Sequence, residues 1–152
     1  MKLALHIGLH RTGTTALQGA LATGRGRLRA KGVWFEPLPV VRPAVTSRLD
    51  AAAFPRLLRG AARRRAGREI RDWVRAREDE GVRRLVISDE ATLGLMDRSL
   101  GRDGIYPDAP ARLELLAEAL RGWPVRAYAG LRAPASWYPS VYAFALSRRP
   151  QG

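Results

Sequence analysis

The chain has 152 residues, 46% of them hydrophobic, which suits one domain burying about 70% of its unfolded surface. It carries 25 arginines and 2 lysines against 14 acidic residues, a formal net charge of +13, with 2 histidines and no cysteine. The missing thiols exclude a disulfide framework and thiolate metal sites, two histidines argue against a histidine-built zinc site, and no apolar run reaches the roughly 20 residues that span a bilayer.

The first strand begins almost at once, so no signal peptide is expected and the cytoplasm is the expected location. The arginine excess has two readings. One is GC-rich codon usage, which also supplies the alanine and glycine. The other is a field that draws anions such as nucleotides, nucleic acid or sulfated glycans. No arginine run is interleaved with aromatics, so nucleic acid is not an expected partner.

Residues 2–7 alternate as a buried strand, with His6 a core or second-layer residue. The chain then turns through Gly8 to Gly13 and leaves through Thr14 and Thr15 into a helix with Leu17, Ala20 and Leu21 on one face. A strand, a glycine-bearing turn and a helix N-terminus form an anion cradle, because the free first-turn N–H groups and the helix dipole both favour negative charge. Thr23, Gly24 and Gly26 interrupt the helix, and residues 27–31 read as a further helical turn ending at Gly32. Residues 33–35 read as a second strand, and Pro37, Pro39 and Pro43 predict a loop.

Ser47 or Asp50 is placed to cap a helix carrying Phe54, Leu57, Leu58 and Ala61, with Pro55 in its first turn. After a solvated run at Arg63, Arg64 and Arg65, residues 66–80 read as a second helix with Ile70, Trp73 and Val74 as its apolar stripe. Gly81 stops it. Residues 85–87 form a buried strand ending at Ser88, Asp89 and Glu90, with Asp89 as a cap, and residues 91–96 suggest a short helix. Residues 98–107 read as a loop. Asp108 is expected to cap a helix with Leu113, Leu116, Ala117 and Leu120 at core spacing, closed by Gly122. Residues 124–131 form the last strand. Arg132 and Pro134 lead into a helix carrying Tyr138, Val141, Tyr142 and Ala145, with Trp137, Tyr138 and Tyr142 expected in the core.

This alternation predicts an α/β fold, a three-layer αβα arrangement with a parallel sheet, as one domain over residues 1–152. Ligands on such sheets sit at the carboxyl ends of the strands. Three clusters fall there: residues 10–15, residues 88–90 and residues 132–140. Their convergence on one edge is the argument for a site that depends on no motif.

Gly8, four residues, Gly13, Thr14 and Thr15 nearly fit the triphosphatase loop GxxxxGK[ST], but Thr14 stands where its lysine reaches the β- and γ-phosphates. An ordinary ATPase or kinase is therefore disfavoured. Arg11-Thr12-Gly13-Thr14-Thr15, continuing as Ala16-Leu17-Gln18, resembles instead the loop of sulfotransferases that use 3′-phosphoadenosine 5′-phosphosulfate, PAPS. Arg132, Pro134 and Ser140 are similar to that family's second motif, in the same order along the chain.

The resemblance implies a P-loop nucleotide-binding-like fold and PAPS as sulfuryl donor. It implies that Thr12, Gly13, Thr14 and Thr15 hold the 5′-phosphate and that Arg132 and Ser140 hold the 3′-phosphate. It also implies that Arg11, where a lysine is commoner, offsets charge on the bridging oxygen as the sulfuryl group leaves. A guanidinium grips a phosphate dianion with two charge-assisted hydrogen bonds.

The candidate base for the acceptor hydroxyl is Glu90, which serves equally well as a helix N-terminal carboxylate; His10 is the weaker candidate. No metal is expected, and the acceptor is a small molecule or carbohydrate bearing a hydroxyl or amine. Family members continue past the second motif with further helices and a glycine-rich basic segment, so an incomplete transferase is expected. Two alternatives stand beside it. One is a nucleotide-phosphate binding module or divergent P-loop kinase without sulfuryl transfer; the other is an Arg-rich protein binding nucleic acid or acidic glycan.

Overall fold

A computed structural model describes residues 1–53, 56–96, 99–101 and 104–147. Phe54, Pro55 and Arg98, with the last five residues of the chain, lie outside the described residues, as do the side chains of Leu57 and Leu58.

In chain order the elements are β1 (Lys2–His6), α1 (Thr14–Thr23), α2 (Arg25–Ala30), β2 (Val33–Phe35) and α3 (Leu38–Ala44), then a 3₁₀ segment at Thr46–Ala53. There follow α4 (Arg56–Asp79), β3 (Arg84–Ser88) and a short 3₁₀ turn at Glu90–Thr92. The strands β4 (Leu100–Gly101) and β5 (Gly104–Ile105), α5 (Ala109–Ala119), β6 (Val125–Tyr128) and α6 (Pro134–Ser147) complete the described chain.

Four strands form a parallel sheet in the order β2-β3-β1-β6. Leu3 and Leu5 of β1 sit level with Leu85 and Ile87 of β3. Strand alternation sends all four to one face, where they meet Ile70 and Val74 of α4, Leu115 and Leu116 of α5, and Leu49. The edge strand β6 is different: Val125 is 43% and Tyr128 50% exposed, so it contributes little to that core. Among the described residues no helix is long and apolar enough to cross a membrane.

The mixed α/β character and the parallel sheet follow the sequence expectation, but several elements depart from it. The proline-rich stretch is a helix, α3, not a loop. Pro39 occupies its first turn, where a missing N–H costs nothing, and the burial of Val41 (0% exposed) supplies the drive. The two helices expected over residues 50–80 include one continuous 24-residue helix, α4. Its Gly67 lies against α5, where an added Cβ would come 3.6 Å from Leu115. Residues 98–107 include the antiparallel pair β4 and β5 rather than loop alone.

Three apolar stripes are rotated from their expected faces. In α5 the buried set is Arg112, Leu115, Leu116 and Ala119, and Asp108 makes no side-chain cap bond. In α1 the buried residues are Thr14 and Gln18, while Leu17 is 42% exposed. In α6 only Trp137 and Val141 are buried; Tyr138 and Tyr142 are 44% and 65% exposed, not core.

Candidate functional site

β1 ends at His6, and Gly8 then passes so close to Gly130, beyond β6, that a Cβ at Gly8 would lie 2.9 Å from the Gly130 nitrogen. Leu9 N–H donates to Gly130 O at 3.0 Å, which fastens the start of the turn to the end of the edge strand. The turn closes at Gly13, whose φ of 85° is open to glycine at no steric cost. Gly13 is also the N-cap of α1 and supplies no side-chain cap; Ala16 N–H turns back to Gly13 O at 3.0 Å, which leaves the N–H groups of Thr14 and Thr15 for another acceptor.

These groups open on a hollow of about 680 Å³ lined by His10, Arg11, residues 13–16, Arg42, Glu90, Leu95, Met96, Arg132 and Phe144. The three expected clusters thus meet at the carboxyl edge of the sheet. Their individual side chains are arranged as follows.

Arg132, on the segment between β6 and α6, lines the hollow and donates from Nη1 to Arg11 O at 3.2 Å and from Nε to Ser136 Oγ at 3.0 Å. Ser140 is not its partner. One helical turn further on, Ser140 Oγ accepts from Arg11 Nε at 3.0 Å, and it is not among the lining residues. Arg11 adopts φ 66°, in the left-handed region that a non-glycine residue enters at a cost. That conformation turns its carbonyl to Arg132 and its guanidinium to α6, where its carbon lies 5.6 Å from the Phe144 ring centre. Thr12 is spent inside the turn, its hydroxyl donating to Leu9 O at 2.6 Å. Thr14 and Thr15 line the hollow, Thr14 being 5% exposed.

Glu90 is held from two sides. Gln18 Nε2 donates to Glu90 Oε2 at 3.2 Å, and Arg42 Nη2 lies 3.6 Å from Oε1. Asp89, fully buried, accepts from Ala91 N–H at 3.1 Å as the expected cap, and its carboxylate also takes Arg42 Nε at 3.2 Å. His10, which lines the hollow, is tied to Tyr106: its backbone N–H donates to the Tyr106 hydroxyl at 3.0 Å, and its ring Nδ1 lies 2.6 Å from the same oxygen. Burial pushes the Tyr106 phenol above its usual range, the His10 amide pulls it partly back, and the charge of Glu90 raises it further. Trp137 Nε1 donates to His10 O at 2.8 Å, so the one buried aromatic of α6 serves the turn. His6 lies behind the site, its Nδ1 2.9 Å from Ser88 Oγ.

Sequence reasoning missed Arg42 and Gln18. Arg42 sits in the stretch read as loop, and nothing local ties it to residues 89 and 90. Gln18 carried a usable signal: with Thr14 it makes a polar i, i+4 pair on α1, the spacing of one helix face.

No family model matches the chain, and no curated protein or solved structure is found that matches it.

Proposed function

We propose that the hollow binds PAPS and that the protein transfers its sulfuryl group to an acceptor hydroxyl, on a three-layer αβα scaffold of the P-loop nucleotide-binding kind. The observation that carries this reading is the shared hollow. Arg132 and the uncapped N-terminus of α1 line one cavity although they lie more than a hundred positions apart in sequence. The N–H groups of Thr14 and Thr15 suit the 5′-phosphate and Arg132 the 3′-phosphate, aided by Ser136 rather than Ser140. Arg11 stands between them as the cation for the leaving bridging oxygen. Its bond to Ser140 then serves to aim it. Sulfuryl transfer of this kind needs positioning and fixed charge more than covalent chemistry from the protein.

Calorimetry tests the reading. 3′,5′-Bisphosphoadenosine binds in preference to ATP, and Arg132→Ala weakens it by about 10- to 100-fold, the worth of lost charged hydrogen bonds. A preference for ATP, or an unchanged affinity in the variant, refutes it. The second reading, a nucleotide-binding module without transfer, is favoured by one observation: both Glu90 oxygens are already engaged, by Gln18 and Arg42. Release of bisphosphoadenosine from PAPS in the presence of an acceptor separates the two.

A further inference from the structure

The sheet ends at β6, and among the described residues no strand pairs with the outer side of β6. All four of its residues are exposed, whereas the strands of a parallel sheet are ordinarily covered on both faces. The ladder fixes which way its free backbone groups point. Leu3 N–H donates to Pro124 O and Ile7 N–H to Tyr128 O, both at 2.9 Å, so residues 124, 126 and 128 face β1. Alternation then turns the N–H and C=O of Val125 and Ala127 outward. The side chains beside this edge differ between the two faces. Val125 and Ala127 stand level with the buried Leu3 and Leu5, so on that face the edge continues the main core. On the other face Arg126 stands level with Ala4, and Lys2 with Arg84. There Lys2, Arg84 and Arg126 line a second hollow, of about 580 Å³, with no carboxylate among its lining residues. None of these three cations has an ion-pair partner among the described residues.

An open strand edge is a template for another strand. Here one face of the edge suits apolar side chains and the other suits acidic ones, which is the alternation of a single strand. We infer that β6 is a docking edge for an extended segment of a partner protein in which apolar and acidic residues alternate, added as a fifth strand through the outward groups of Val125 and Ala127. Its apolar residues lie beside Val125 and Ala127. Its carboxylates lie beside Arg126, and Lys2 and Arg84, further in on the same face, add to the attracting field. A helix laid on either face leaves the outward N–H and C=O groups unpaired. A basic segment meets Arg126 with like charge, and the net charge of +13 disfavours a second copy of the chain for the same reason. The inference makes no use of the nucleotide.

The probe is a short capped peptide alternating valine and glutamate, titrated by calorimetry into the whole chain at low ionic strength, beside its valine–lysine counterpart. The acidic peptide is expected to bind and the basic one not, with affinity falling as salt is added. Main-chain pairing is tested on the peptide itself. A strand turns alternate amides to opposite sides, so N-methylation of one set, the valines or the glutamates, abolishes binding while methylation of the other set spares it. Arg126→Glu should weaken the acidic peptide about tenfold. Ala127→Pro removes an outward N–H, leaves the bonds of residues 126 and 128 to β1, and should weaken it by about the same factor. Urea unfolding shows whether both variants fold; if the proline variant does not, the methylated peptides on the wild type decide. Equal binding of the acidic and basic peptides, or the same response to both methylated sets, overturns the inference. Dimers of the chain alone in light scattering overturn it too, since a second copy then holds the edge.

Discussion

Gly8 and Gly19 show how differently two glycines ten or so positions apart are used. Gly8 sits where two backbones nearly touch: an added Cβ would lie 2.9 Å from Gly130 N and 3.2 Å from Gly130 O, and backbone cannot swing aside as a side chain can. Gly19 lies on the exposed side of α1, with nothing within 4 Å of an added Cβ. Gly8→Ala is therefore expected to cost about 1–3 kcal/mol as overpacking and to loosen the turn that ends at Gly13, weakening bisphosphoadenosine. Gly19→Ala is expected to stabilise by about 0.5–1 kcal/mol and leave binding alone. Urea unfolding beside calorimetry checks both, and equal effects of the two substitutions would refute the account. At this scale the sequence disclosed the turn and the clusters but not the pairings. Ser140 stood at the motif spacing from Arg132, yet α6 places Ser136 against Arg132 and Ser140 against Arg11. Spacing along a chain locates a residue on a helix; which neighbour its hydroxyl meets depends on how that helix is docked.

Among the elements, α5 teaches most about what periodicity reveals. Leu113, Leu116, Ala117 and Leu120 satisfy helical spacing, but the helix is turned so that Arg112 points inward, 3% exposed. The guanidinium is fully employed there. It pairs with Asp50 and donates to Thr92 O at 3.0 Å, Thr46 O at 3.2 Å and Ala91 O at 3.0 Å. It joins α5 to both 3₁₀ segments, whose carbonyls have few regular partners. No hydrophobic scale selects such a residue for the core, which is why the stripe was read one position off. The same blindness hid α3, because proline content predicts a loop wherever the burial of Val41 cannot be seen. Truncation of Arg112 takes a charged donor from all three buried-side contacts, and of these carbonyls Ala91 O keeps a backbone donor, Gly94 N–H at 3.1 Å. Arg112→Ala should lose about 3–5 kcal/mol, and Arg112→Lys should recover only part, since an ammonium cannot span the fork. Chemical denaturation reads this directly; a loss below about 1 kcal/mol would mean that water satisfies the carbonyls.

For the molecule as a whole, the alternation of elements disclosed a parallel sheet, but strand order and the exposure of β6 depend on long-range pairing that no local pattern carries. The sheet has two working ends. The carboxyl end holds the hollow; the amino end is tied by a knot in which the Met1 ammonium and Trp123 Nε1 (at 2.9 Å) both donate to Glu78. It binds the start of β1, the last turn of α4 and the approach to β6. The hydrogen bond from the N-terminus, then that from Trp123, hold the Glu78 carboxyl below its ordinary range. A carboxyl lowered in the folded state gives stability that is present above its unfolded pKa and fades as the pH falls through the folded value. Because Glu78 is solvent-accessible the contribution is small, and salt screens it. Melting temperature against pH should therefore fall less steeply on the acid side in Glu78→Gln than in the wild type, the two curves converging at low pH. Bisphosphoadenosine affinity near neutral pH should be the same in both, since the knot and the hollow occupy opposite ends of the strands. A variant that melts in parallel with the wild type through the acid range would show that the knot adds no stability. A variant that loses the nucleotide would show instead that the two ends of the sheet are coupled through β1.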